Sequence, residues 1–184
     1  MAFNGDTQAE NRVAQILSDH KIRTVIETGT YTGDSTRFFA AHCPSVITIE
    51  LNQQRFEALQ LDDLPNVQTI QGSSPLVLRR ILSEIEEPLF IYLDAHSYNY
   101  WPLLDELQII QRSGLKPYLM IHDFRVPRTD LGYDTYDGQA LDVDYVMPVL
   151  QELYRNCDGS TFAYNDETAT GARRGILYTF PSED

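Results

Sequence analysis

Short apolar runs alternate along the chain with stretches of helical period. That alternation predicts a mainly parallel α/β sheet. Residues 6–20 predict a helix capped by Asp6 or Thr7, with Val13, Ile16 and Leu17 as its apolar stripe. Strands are expected at Thr24–Glu27, Val46–Glu50, Val67–Gln71, Leu89–Asp94 and Tyr118–Asp123. Between them, residues 34–41 form a helix that Pro44 cannot continue, and Asn52 caps another through about Gln60. Ser74 followed by Pro75 opens a helix to about Ile85, and Pro102–Arg112 is a helix closed by Gly114. A polar, aromatic loop spans residues 124–141, followed by a helix over Asp142–Asn156. Loops of that length are usually functional. Thr161–Tyr164 and Ile176–Phe180 read as a closing antiparallel pair, with Gly171, Arg173, Arg174 and Gly175 in the connection. There the two arginines read as surface residues.

Four strands run apolar and end on polar groups: Glu27, Glu50, Asp94 and the His122–Asp123 pair. In open α/β sheets ligands bind outside the carboxyl ends of the strands, so these ends read as one crevice. The first strand leads into Glu27-Thr28-Gly29-Thr30-Tyr31-Thr32-Gly33-Asp34-Ser35. Gly29 permits a tight turn and Gly33 a close helix. The spacing Gly-x-x-x-Gly is not the Gly-x-Gly-x-x-Gly of dinucleotide sites, and a carboxylate at Glu27 repels a pyrophosphate while suiting a cationic ligand. A nicotinamide dehydrogenase is therefore disfavoured. Glu50 lies about 20 residues beyond the glycine turn, where a Rossmann-like site places the acid that holds a ribose diol.

This stretch resembles motif I of class I S-adenosylmethionine-dependent methyltransferases, in the E-x-G-x-x-x-G-x-S form of cation-dependent and macrocin-type O-methyltransferases. The resemblance covers about residues 23–123. It implies a Rossmann-like fold, a seven-stranded, mostly parallel sheet in the order 3-2-1-4-5-7-6 with the last-inserted strand antiparallel and helices on both faces. It implies S-adenosylmethionine as cofactor, held by Glu27, Gly29, Thr30, Gly33, Ser35, Glu50, Ser73 and Asp94. Gly72 and Ser73 fall where the family contacts adenine, with Ser73 where an aspartate is frequent.

The fourth and fifth strands should be neighbours through a right-handed crossover, which brings Asp94, His96, His122 and Asp123 to one rim. Two chemistries stand. Asp94 and Asp123, with His122 or His96, could hold a divalent cation, magnesium or manganese, that lowers the pKa of a substrate hydroxyl, a histidine ligand favouring manganese, iron or zinc. Alternatively His96 or His122, with Asp94 among the catalytic groups, takes the hydroxyl proton directly. Tyr98, Tyr100, Trp101, Tyr133 and Tyr136 either line an acceptor pocket or pack on one another. The leading function is O-methylation of a small hydroxylated metabolite such as a sugar, polyketide or phenol. The alternatives are a metal-dependent hydroxylase or hydrolase on the same fold, and a binding module for an adenosyl ligand.

Composition narrows the partners. The 184 residues suit one domain over 1–184, with an N-terminal helix inside residues 1–20. A net charge of −13 repels phosphate backbones, so nucleic acid is not the expected substrate. No apolar run approaches the length of a membrane span, and Met1–Glu10 lacks a signal-peptide pattern. Two cysteines, Cys43 and Cys157, form neither a disulfide framework nor a zinc motif, which points to a cytoplasmic protein. The assembly is left open, with a homodimer among the options.

Overall fold

The computed structural model describes residues 1–86, 88–97, 100–154 and 162–181. A single turn, Ala2–Gly5, precedes α1 (Thr7–Asp19), whose first two free N–H groups, on Gln8 and Ala9, are capped by the Asp6 carboxylate. The chain then runs β1 (Thr24–Thr28), α2 (Asp34–His42), β2 (Ser45–Glu50), α3 (Gln53–Ala58, capped by Asn52), β3 (Val67–Gln71) and α4 (Ser74–Ile81). It continues through β4 (Leu89–Leu93), α5 (Leu103–Ser113), β5 (Tyr118–His122), a small ribbon of β6 (Thr135–Tyr136) and β7 (Gln139–Ala140), α6 (Val143–Leu153), β8 (Phe162–Tyr164) and β9 (Ile176–Thr179).

The main sheet has the order β3-β2-β1-β4-β5-β9-β8. Its seven strands, numbered without the ribbon, run 3-2-1-4-5-7-6 as expected. β9 lies antiparallel between β5 and β8, and the first five strands are parallel. Both faces are buried, and the strands divide their side chains by strict alternation. Ile26, Ile91, Ile121 and Leu177 join α4, α5 and α6 in one core, whereas Val25, Phe90, Met120 and Tyr178 join α1, α2 and Phe3 in the other. The chain order reverses between β1 and β4, so the switch-point crevice opens there.

Element boundaries shift in small ways. Ser73, not Ser74, occupies the cap of α4, and that helix ends at Ile81, followed by a tighter turn over Leu82–Glu84. β1 runs one residue further, to Thr28. The loop over 124–141 contains the β6–β7 ribbon, which turns at Asp137 and Gly138, both with positive φ. Asn156, Cys157 and Thr161 of the expected elements, and Tyr98 of the expected acceptor pocket, lie outside the described residues.

Candidate functional site

A cleft of about 280 Å³ opens at the carboxyl ends of β3, β2, β1, β4 and β5. Gly29, Glu50, Ser73 and Asp94 line it, as the sequence leads one to expect, together with His96 and Asp123. Gly29 is required by geometry: its φ is +88°, and a Cβ there would lie 2.8 Å from the carbonyl oxygen of Asp94. β1 and β4 thus approach backbone to backbone at the floor of the cleft. Glu50 is held from both sides, its Oε2 accepting the Tyr31 N–H at 2.9 Å and its Oε1 the Asn52 N–H at 2.8 Å. Each oxygen keeps a lone pair for a further donor.

Four expected cofactor residues are not on the cleft wall. Because β1 reaches Thr28, Glu27 sits one residue inside the strand, and alternation turns it toward α2. It is 1% exposed and accepts hydrogen bonds from Thr36 and Thr48. Burial raises its pKa to about 8; the two hydroxyls oppose the rise, and Asp94 and Glu50 add to it. Thr30 spends its hydroxyl on Thr48 at 2.6 Å. Gly33 caps α2 in the left-handed region, where a Cβ would meet Leu61 at 3.0 Å. Ser35 accepts the Phe3 N–H at 3.3 Å.

The charged cluster also differs from expectation. His122 shares the face of Met120, beneath the cleft, and its side chain is 1% exposed. Its Nδ1 lies 3.1 Å from Asp123 Oδ1 and 3.4 Å from Asp94 Oδ1. Burial works against a charged ring, yet the two carboxylates outweigh it and push the pKa up to about 10. His122 does not line this cleft; its ring lies beneath it, against both carboxylates, where a charged imidazole would serve as their counter-ion. Of the two expected histidine alternatives, it is His96 whose ligand atom lies within 4.8 Å of those of Asp94 and Asp123, as a group that could take an ion. Tyr92 donates its hydroxyl to Asp94 Oδ2 at 2.8 Å.

Arg174, expected on the surface, bridges Asp123 and Asp134. Burial raises the Asp123 pKa, but His122 and Arg174 more than reverse that and hold it well below the usual carboxylate range. Glu106, buried under the same rim on α5, is raised by burial to about 7, with the neighbouring Ser74 and Thr28 hydroxyls opposing the rise. Trp101 is sandwiched between Tyr136 and Tyr145, with centroids at 5.6 and 5.0 Å. Those rings pack on one another, whereas Tyr100 lines the cleft. The sequence reading also missed Asn4, Tyr31 and Arg55 on the cleft wall. Arg55 lies over the Tyr31 ring at 4.9 Å.

No helix of the described residues is long and apolar enough to cross a membrane. No protein-family model matches the chain, and no curated protein matches its sequence. Solved structures do match. An O-methyltransferase from Bacillus cereus in complex with S-adenosylhomocysteine is 17% identical, with a TM-score of 0.63 over 99% of this chain and 84% of that one. An S-adenosylmethionine-bound amino pentose methyltransferase from Micromonospora echinaspora is 13% identical, with a TM-score of 0.55 over 95% of this chain and 91% of that one. An rRNA methylase from Streptococcus thermophilus is 14% identical, with a TM-score of 0.56 over 95% of each chain. With its seven-stranded sheet and its switch-point cleft, the chain has the fold of the class I S-adenosylmethionine-dependent methyltransferases.

Proposed function

We propose that the protein is an S-adenosylmethionine-dependent methyltransferase acting on the hydroxyl of a small acceptor such as a sugar, a polyketide or a phenol. The observation that carries this reading is the placement of Glu50. It lies at the end of β2, beside the Gly29 turn, with one acceptor site free on each carboxylate oxygen. Those two acceptors fit the hydroxyl donors of a ribose diol, and the acidic rim fits a cation. The cofactor, when bound, supplies an electrophilic methyl group. Gly29 and Ser73 let the ligand approach the strand ends closely, and Asp94 and Asp123 place negative charge beside the sulfonium.

His96 then removes the acceptor proton. It is the exposed imidazole of the rim, beside Asp94 and Asp123, and its ring is open to a ligand in the cleft. A second reading is favoured by the 4.8 Å grouping, in which Asp94, His96 and Asp123 hold a divalent cation. Two carboxylates and one imidazole suit manganese better than magnesium, and such an ion would lower the pKa of a bound hydroxyl. Asp123 would then share its carboxylate with Arg174.

The test is methyl transfer from labelled S-adenosylmethionine to a panel of catechols and sugars, before and after chelation. The reading expects transfer to at least one hydroxylated acceptor, with a loss of about 100-fold or more in His96→Ala. Full turnover after chelation assigns the proton to His96; loss that manganese restores assigns a cation. No transfer to any acceptor by protein that also fails to bind S-adenosylhomocysteine contradicts the reading.

A further inference from the structure

The Ala2–Gly5 turn is strained. Phe3 (φ 47°, ψ 43°) and Asn4 (φ 56°, ψ 30°) are consecutive non-glycine residues in the left-handed region, where Cβ crowds the carbonyl oxygen. The surroundings hold them there. Phe3 donates its N–H to Ser35 and meets Phe38, Phe39 and Tyr92 edge-on at 5.2, 5.6 and 5.3 Å. The Asn4 carbonyl accepts from Ala172 N–H at 3.1 Å, and Gly171 packs so closely that a Cβ would lie 2.3 Å from the Asn4 oxygen. Asp6 takes the Thr170 N–H at 3.1 Å. With its backbone bound on one side and its neighbour's ring buried, Asn4 is exposed and lines the cleft, and its carboxamide has no hydrogen-bond partner among the described residues. Strain that the surroundings over-determine is a mark of a functional position.

The glycine turn, by contrast, has few donors left. The N–H groups of Gly29 and Thr30 both go to the Ile49 carbonyl, that of Tyr31 to Glu50, and that of Gly33 to Thr30. A ligand carboxylate at this end of the cleft needs a donor from elsewhere.

Resting on the functional reading above, we propose that Asn4 binds the amino-acid end of the adenosyl ligand, its amide N–H₂ donating to the ligand carboxylate. A diol on Glu50 sets the ribose at the β2 end. The remainder of the ligand then runs past Gly29 toward β4, where Asp94 and Asp123 suit its ammonium and Asn4 its carboxylate. Ser35 acts through Phe3 as a positioning residue for this turn.

The test is calorimetry with two ligands, S-adenosylhomocysteine and 5′-methylthioadenosine, which lacks the amino-acid group. Asn4→Ala removes the amide, and Asn4→Gly removes it while accepting the left-handed backbone. Both variants should bind S-adenosylhomocysteine about tenfold or more weakly. Both should bind 5′-methylthioadenosine as the unaltered protein does. Unchanged S-adenosylhomocysteine binding, or equal loss of both ligands in Asn4→Gly, overturns the role of Asn4. An unaltered protein that binds neither ligand overturns the functional reading, and this role with it.

Discussion

Glu27 lies 1% exposed between the hydroxyls of Thr36 and Thr48, and burial keeps its carboxyl protonated up to about pH 8. Its ordinary value is 4.5, so between these two values the unfolded chain releases a proton that the folded chain retains. Stability present below pH 4.5 is therefore lost as the pH rises toward 8. Glu106 has the same sign up to about 7, and His122 from 6.5 to about 10. Glu27→Gln keeps an acceptor for both threonines and removes only the Glu27 part. Thermal melts should show the variant gaining on the parent from pH 5 to pH 8; parallel curves would contradict protonation of Glu27. The sequence marks Glu27 as an acid at a strand end, and its fate turned on a single residue of strand length. Arg174 was beyond reach for another reason. It pairs with an acid 51 residues away, and no local pattern announces such a partner. Glu50, by contrast, was legible because its spacing from the glycine turn is set by the strand–helix–strand unit itself.

The helices and strands were readable because each carries its own signal: short apolar runs in the strands, which are buried on both faces, Asp6 and Asn52 at helix starts, Gly114 in the left-handed region at the end of α5. The β6–β7 ribbon was not, since strands of two residues have no periodicity to detect. Its anchor is tertiary: Tyr136 stacks on Trp101, and Trp101 stacks on Tyr145 of α6. Stacked aromatic pairs contribute about 0.5–1.5 kcal/mol each beyond the area they bury. Trp101→Ala should cost about 2–4 kcal/mol in urea unfolding. Hydrogen exchange at residues 135–140 should accelerate in the variant more than in the central strands. Exchange there at the parent rate would mean that the ribbon is held by something other than this stack.

At the scale of the whole molecule, the sheet order brings residues from five strand ends to one cleft, although the chain carries a net charge of −13. Part of that acidity is used locally. Asp94, Asp123 and Asp134 alternate with His122 and Arg174, so the rim is a largely neutralised network in which Asp94 and Asp123 line the cleft. The fold was legible from the alternation of strands and helices, and the acid at β2 pointed to the cleft. The acceptor was not, because Trp101 and Tyr136 stack on one another while Tyr100 lines the cleft, a division that tertiary packing makes and local sequence does not mark.

The measurement that tests the account most directly is a calorimetric titration with S-adenosylhomocysteine, beside NAD and beside the Glu50→Ala variant. The account predicts one site for S-adenosylhomocysteine and no appreciable binding of NAD. It also predicts a loss of about 1.5–3 kcal/mol in the folded variant, the range for hydrogen bonds to a charged group. Tight NAD binding, or S-adenosylhomocysteine affinity unchanged by Glu50→Ala, would contradict it.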